Sequence, residues 1–140
     1  MDSRREFIKK SATVIAGCCC LGATQLLTSC KSTIYVNALE SGNALKINKK
    51  DFLDQNYIVV NSKSLSSPVY LKREKDEFKA LSMHCTHKGC TVKPAGSIMV
   101  CPCHGAEFSN EGKVLGGPAR ENLKEYIVEV KGEVIEIIIK

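Results

Sequence analysis

The 140-residue chain lacks most of what marks a self-contained catalyst. No Ser/His/Asp set, no phosphate-cradling Gly-rich loop and no paired acids can be argued from it, so no separate catalytic constellation is visible. No Lys/Arg stripe interleaved with aromatics appears, which argues against a nucleic-acid partner. Beyond residue 30 there is no apolar pattern three helical turns long, no internal repeat and no low-complexity segment. The one long uncharged run, residues 11–29, is interrupted by Thr13, Gly17, Gly22, Thr24 and Gln25. That is weak for a stable span, which takes about 20 predominantly apolar residues. The length suits one compact domain with a modest core.

What is present starts with an address. Ser3-Arg4-Arg5-Glu6-Phe7-Ile8-Lys9 resembles the twin-arginine export motif, and the uncharged run behind it suits the apolar region of a signal. Leu27-Thr28-Ser29-Cys30 resembles the cleavage and lipidation site of bacterial lipoproteins. Lipidation at Cys30 would supply two or more acyl chains, enough for stable attachment; the alternative is an uncleaved N-terminal anchor. The expected division is a signal segment over 1–30 and one domain over 31–140. An exported, membrane-attached protein facing the periplasm or cell exterior follows. Twin-arginine export carries folded proteins, so a cofactor inserted in the cytoplasm can travel with the chain.

Cysteine usage narrows the chemistry. Of eight cysteines, Cys18, Cys19 and Cys20 lie in the signal segment and Cys30 is used by the lipid. Cys85, Cys90, Cys101 and Cys103 remain; two can bind metal and two can pair, in a compartment that permits disulfides. They sit in two boxes, Cys85-Thr86-His87-Lys88-Gly89-Cys90 and Cys101-Pro102-Cys103-His104-Gly105. Structural zinc is the competing interpretation of four Cys/His ligands. Zinc sites usually space like with like, as C-x₂₋₄-C and H-x₃₋₅-H, whereas each box here pairs one Cys with one His and adds a Cys. His84, beside the first box, reads as a packed or solvated side chain.

The two boxes resemble the Rieske family, in the version that carries a disulfide. Six Cys/His positions and two glycines match together, and the likeness spans residues 81–118 at motif level. It implies one [2Fe-2S] cluster, with Cys85 and Cys101 on one iron and His87 and His104 on the other, and a Cys90–Cys103 disulfide joining the loops. Gly89 and Gly105 are expected to turn the backbone and give N–H groups to sulfur, and Pro102 to stiffen the second loop. Gly116-Gly117-Pro118-Ala119 resembles the family's covering loop, with Pro118 as its marker; Arg120 stands where a second Pro is common. Neutral imidazoles in place of two thiolates remove two negative charges and make reduction easier: about −150 to +300 mV against about −400 mV for plant-type four-Cys clusters. High-potential members often carry Ser and Tyr at the positions of Ala106 and Phe108. Neither residue here can donate a side-chain hydrogen bond to the cluster, so a potential in the lower half of that range is expected, which suits menaquinol as donor.

The remaining sequence predicts a small all-β domain, antiparallel sheets with the two cluster loops at one tip. Strands are expected over 34–37, 44–47, 57–60, 69–71, 78–82, 97–100, 107–109, 126–130 and 133–139, the last two as a hairpin at Lys131-Gly132, and one helical turn over 51–54. The implied function is electron transfer, as a membrane-attached subunit of a quinol-oxidising respiratory complex with a cytochrome b-type partner. The alternative is a stand-alone carrier or the small Rieske subunit of another exported oxidoreductase, resembling that of arsenite oxidase. A dioxygenase-type ferredoxin fits less well, because of the signal and because of Cys90 and Cys103.

Overall fold

A computed structural model of the chain describes residues 32–139. The expectations placed on the twin-arginine motif, the uncharged run and Cys30 lie outside them. The described residues form twelve strands and one 3-10 helix, with no α-helix. No helix among them is long and apolar enough to cross a membrane.

The strands are β1 (Tyr35–Asn37), β2 (Leu39–Ser41), β3 (Ala44–Asn48), β4 (Tyr57–Asn61), β5 (Val69–Glu74), β6 (Glu77–Ser82), β7 (Lys93–Ala95), β8 (Ile98–Val100), β9 (Glu107–Ser109), β10 (Val114–Gly116), β11 (Glu125–Lys131) and β12 (Val134–Ile138). Eight of them pair in the order β1-β4-β5-β6-β11-β12-β3-β2. Only Ala38 separates β1 from β2, and its N–H donates to Asn61 O at 3.0 Å. One bent segment therefore pairs with β4 in parallel and then with β3 antiparallel. The sheet closes on itself, which removes the exposed edges that an open sheet leaves. The other four strands, β10-β9-β8-β7, form a small antiparallel sheet between the two boxes and the covering loop.

Burial explains the apolar runs. In β4, Ile58 and Val60 point into the closed sheet with Val69, Leu71, Ala80, Ile135 and Ile137. Val59, Tyr70 and Leu81 point the other way, into a second core shared with Met99 and Phe108 of the small sheet. Strands buried on both faces need continuous apolar sequence rather than alternation, which is what Ile58-Val59-Val60 and Val69-Tyr70-Leu71 supply.

The helical turn sits two residues earlier than expected, as a 3-10 helix over Lys49–Phe52. Asn48 sets its start: Lys50 N donates to Asn48 Oδ1 at 3.1 Å, and Asn48 N donates to Asp51 Oδ2 at 3.0 Å. This reciprocal cap satisfies two orphan donors and delivers Phe52, fully buried, to the inner core.

Candidate metal centre

Both boxes fold into the same local loop. Cys85 N donates to Cys90 O at 2.9 Å and Gly89 N to Cys85 O at 2.8 Å. In the second box Cys101 N donates to Ala106 O at 2.8 Å and Gly105 N to Cys101 O at 3.0 Å. Each loop thus closes over six residues, and its fifth residue takes a positive φ: +78° at Gly89 and +71° at Gly105. Only glycine adopts that conformation without strain. One expectation is corrected here. The N–H groups of Gly89 and Gly105 are spent on the carbonyls of Cys85 and Cys101, not on sulfur; closing the loop requires those bonds. The backbone N–H groups of His87 and Lys88 act on the Cys85 sulfur, pulling its pKa down.

Cys90 and Cys103, thirteen positions apart in sequence, form a disulfide with Cα atoms 6.4 Å apart. Cys85 and Cys101 are left as free thiols, each 1% exposed. They lie close enough to interact, and burial pushes the Cys85 thiol up, against the pull of the His87 and Lys88 N–H groups. The imidazoles of His87 and His104 meet edge to face with centroids 4.8 Å apart. Burial, then the proximity of His104 and Lys88, pushes the His87 imidazole down, toward its neutral form. His87 Nδ1 is buried without a hydrogen-bond partner, an arrangement that costs free energy unless something else takes its lone pair. Two buried thiols, a facing imidazole pair and an orphaned ring nitrogen are a donor set that fits a two-iron, two-sulfur group. A three-sulfur zinc set does not arise here. The sulfurs of Cys90, Cys101 and Cys103 lie within 4.8 Å of one another, but two are tied in the disulfide and offer no thiolate.

The covering loop is positioned by Gly117. Its φ is +85°, and a Cβ there would stand 2.6 Å from Ala106 Cα and 2.7 Å from Gly105 O. The close approach in this loop belongs to Gly117 and not to Pro118, and the sequence signal for it is the Gly-Gly pair ahead of Pro118. Thr86 Oγ1 donates to Glu121 O at 2.7 Å and ties the first box to the same loop. A shallow cleft between them is lined by Thr86, His87, Gly117, Pro118, Arg120 and Glu121. His84 packs its ring on Gly89, 2.8 Å from where a Cβ would stand, and places Nδ1 3.3 Å from Ser67 Oγ. It remains largely exposed to solvent, at the edge of the site. Ala106 and Phe108 are both fully buried.

The family profile described as the Rieske [2Fe-2S] domain matches residues 36–127. The cytochrome b6-f complex iron-sulfur subunit of Chlorobaculum tepidum is 43% identical over 54 residues, covering 37% of this chain and 30% of that protein. The chloroplastic subunit of Triticum aestivum is 44% identical over 57 residues, 37% of this chain and 26% of that protein. The matched stretch thus spans less than a third of these curated relatives. Among solved structures, the cyanobacterial plasma membrane Rieske protein PetC3 from Synechocystis PCC 6803 superposes with a TM-score of 0.54 at 34% identity, covering 64% of this chain and 93% of that one.

Proposed function

The chain belongs to the Rieske [2Fe-2S] family, whose domain binds one [2Fe-2S] cluster, and from that premise we infer that Cys85 and Cys101 hold one iron while His87 and His104 hold the other, and that the protein passes single electrons. The observation that carries the ligand set is the orphaned, buried Nδ1 of His87 beside His104, with two free buried thiols at matching positions of two matching loops. When bound, the group supplies a one-electron couple. The chain's own residues do the rest. The two loops hold the ligands, the Cys90–Cys103 disulfide keeps the loops together, and Gly117 seats a third loop over the second. Iron and acid-labile sulfide analysis tests this: two of each per chain are expected, and Cys85→Ser or His87→Ala should lose both. Zinc in their place contradicts it.

Export and membrane attachment are part of the same proposal. They are supported by the twin-arginine-like run and by the lipobox-like segment ending at Cys30. For the partner, the relatives' names point to a cytochrome b-type, quinol-oxidising complex, with menaquinol favoured by a low potential. The second reading, a stand-alone carrier or a small subunit of another exported oxidoreductase, is favoured by a different observation: only Lys31 and Ser32 separate Cys30 from Thr33, which is already held by the domain. Purification from membranes in mild detergent separates the two, since b-type haem travels with the protein only in the first.

A further inference from the structure

We propose that the Cys90–Cys103 disulfide and the thiols of Cys85 and Cys101 form one exchange set, and that in a chain without its cluster the disulfide migrates onto Cys85 and Cys101 and closes the site. The exchange stands on the placement of the four sulfurs; that it closes the site rests on the ligand reading above.

The two boxes bring together more sulfur than the cluster uses. The sulfurs of Cys90, Cys101 and Cys103 lie within 4.8 Å of one another. Cys101 is a free thiol, and the other two are joined as the disulfide. On its other side Cys101 meets a second thiol, that of Cys85, within hydrogen-bond reach. Cys103, Cys90, Cys101 and Cys85 are therefore a connected row, with the disulfide at one end and two thiols at the other. Loop closure keeps them there, because Cys85 N donates to Cys90 O and Cys101 N to Ala106 O.

Two exchange steps run along this row. In the first, the Cys101 sulfur attacks the Cys90 sulfur. The Cys90–Cys101 bond forms and the Cys90–Cys103 bond breaks. The electron pair leaves on the Cys103 sulfur, which takes up a proton in place of the one Cys101 gives up. In the second, the Cys85 sulfur attacks the Cys101 sulfur. The Cys85–Cys101 bond forms, the Cys90–Cys101 bond breaks, and Cys90 leaves with the electron pair and gains a proton. One disulfide and two thiols are present before and after, so neither an oxidant nor a reductant is consumed.

Burial gives the exchange its direction. Cys85 and Cys101 are each 1% exposed, whereas Cys90 is half-buried and Cys103 exposed. Migration leaves the bond that cannot ionise in the buried pair and delivers the ionisable thiols to water. Sulfurs held by iron are not free to attack, so loading protects the original pairing. Filling the site must therefore precede the oxidation that joins Cys90 to Cys103, since an oxidised chain without the group loses both of its thiolate ligands.

The test uses the full chain, purified with its cluster and divided. One half has its iron removed by a chelator under anaerobic conditions and is desalted at once from the released sulfide. Both halves are unfolded in N-ethylmaleimide and their cysteines mapped by mass spectrometry. Cleavage after Lys88 separates Cys85 from Cys90, and fragmentation distinguishes Cys101 from Cys103. The loaded half is expected to show Cys90 joined to Cys103, with Cys85 and Cys101 labelled. In most chains of the stripped half, Cys85 should be joined to Cys101, with Cys90 and Cys103 labelled. Cys85→Ser should stop the migration at a Cys90–Cys101 bond. Persistence of the Cys90–Cys103 bond in the stripped parent chain, with Cys85 and Cys101 both labelled, overturns the exchange. Loss of that bond to the same extent in Cys101→Ser overturns it too, because the row then plays no part. A Cys85→Ser chain that still carries iron and sulfide overturns the ligand reading, and with it the closure of the site, whatever the maps show.

Discussion

At the scale of single residues, the expected tuning of the site rests on two positions. Ala106 and Phe108 are fully buried and bring no hydroxyl to it. A hydrogen bond to a sulfur stabilises the more negative, reduced state. Ala106→Ser and Phe108→Tyr should therefore each raise the midpoint. The rise should be on the order of 50 mV, the equivalent of about 1 kcal/mol for one electron. Square-wave voltammetry of the variants checks this; an unchanged midpoint in both means that the backbone donors and burial dominate. Gly117 matters for a different reason. A Cβ there meets the backbone of Gly105 and Ala106, which cannot yield as the end of a side chain can, and its φ of +85° adds strain. Gly117→Ala should cost about 2 kcal/mol or more and lower the melting temperature; calorimetry of the loaded protein gives the answer. Glycines 89 and 105 show how far the sequence could be read at this scale. Their identity announced a positive φ, and the structure has it. Which acceptor their N–H groups meet is decided by loop closure, and a motif does not encode it.

At the scale of elements, the small sheet is fastened to the closed sheet by a charge. Lys72 of β5 and Lys79 of β6 pair directly opposite each other, a juxtaposition that is unfavourable on its own. Glu111, from the β9–β10 turn, accepts from Lys72 Nζ with one oxygen and from Lys79 Nζ at 3.1 Å with the other. Hydrogen bonds from Lys72 and then Lys79 hold the Glu111 carboxyl below its ordinary value. Burial pulls Lys72 down, but its bonds to Glu111 and Glu74 outweigh that and its pKa is raised. Lys79 is raised chiefly by Glu111. A depressed carboxyl stabilises above its unfolded pKa, about 4.3, and loses this as pH falls through the folded value. Raised lysines stabilise below about 10.4 and lose this as pH rises through theirs. Glu111→Gln should thus lower the melting temperature by a few degrees at pH 7, since solvent screening holds the bridge to about 1 kcal/mol. The gap from the parent chain should shrink once the pH drops below about 4. Thermal melts across pH 3 to 8 test it, and a gap that does not change with pH contradicts it.

The same scale shows which strands could be read from sequence. Nine were legible because both faces are buried or because they alternate. β2, β7 and β10 were not. Leu39-Glu40-Ser41 is exposed throughout, Lys93-Pro94-Ala95 holds a proline on an edge strand, and Val114-Leu115-Gly116 runs into the covering loop. Their conformation comes from the strand beside them, not from a pattern of their own.

For the whole molecule, the closed sheet is a rigid stand and the small sheet a bracket that carries two matching loops to one tip. The two loops and the Cys90–Cys103 disulfide were legible in the two boxes, because that pattern is local. The closure through Ala38 and the dual cores depend on contacts between distant segments, and no local pattern carries them. The central claim, a cluster on two thiolates and two imidazoles, is tested most directly by a redox titration of the loaded full chain followed by electron paramagnetic resonance. The account predicts a rhombic signal of a two-histidine cluster in the reduced state, with a midpoint in the lower half of about −150 to +300 mV. Absence of that signal in a protein that holds zinc, or a signal and midpoint of the four-cysteine kind near about −400 mV, would contradict it.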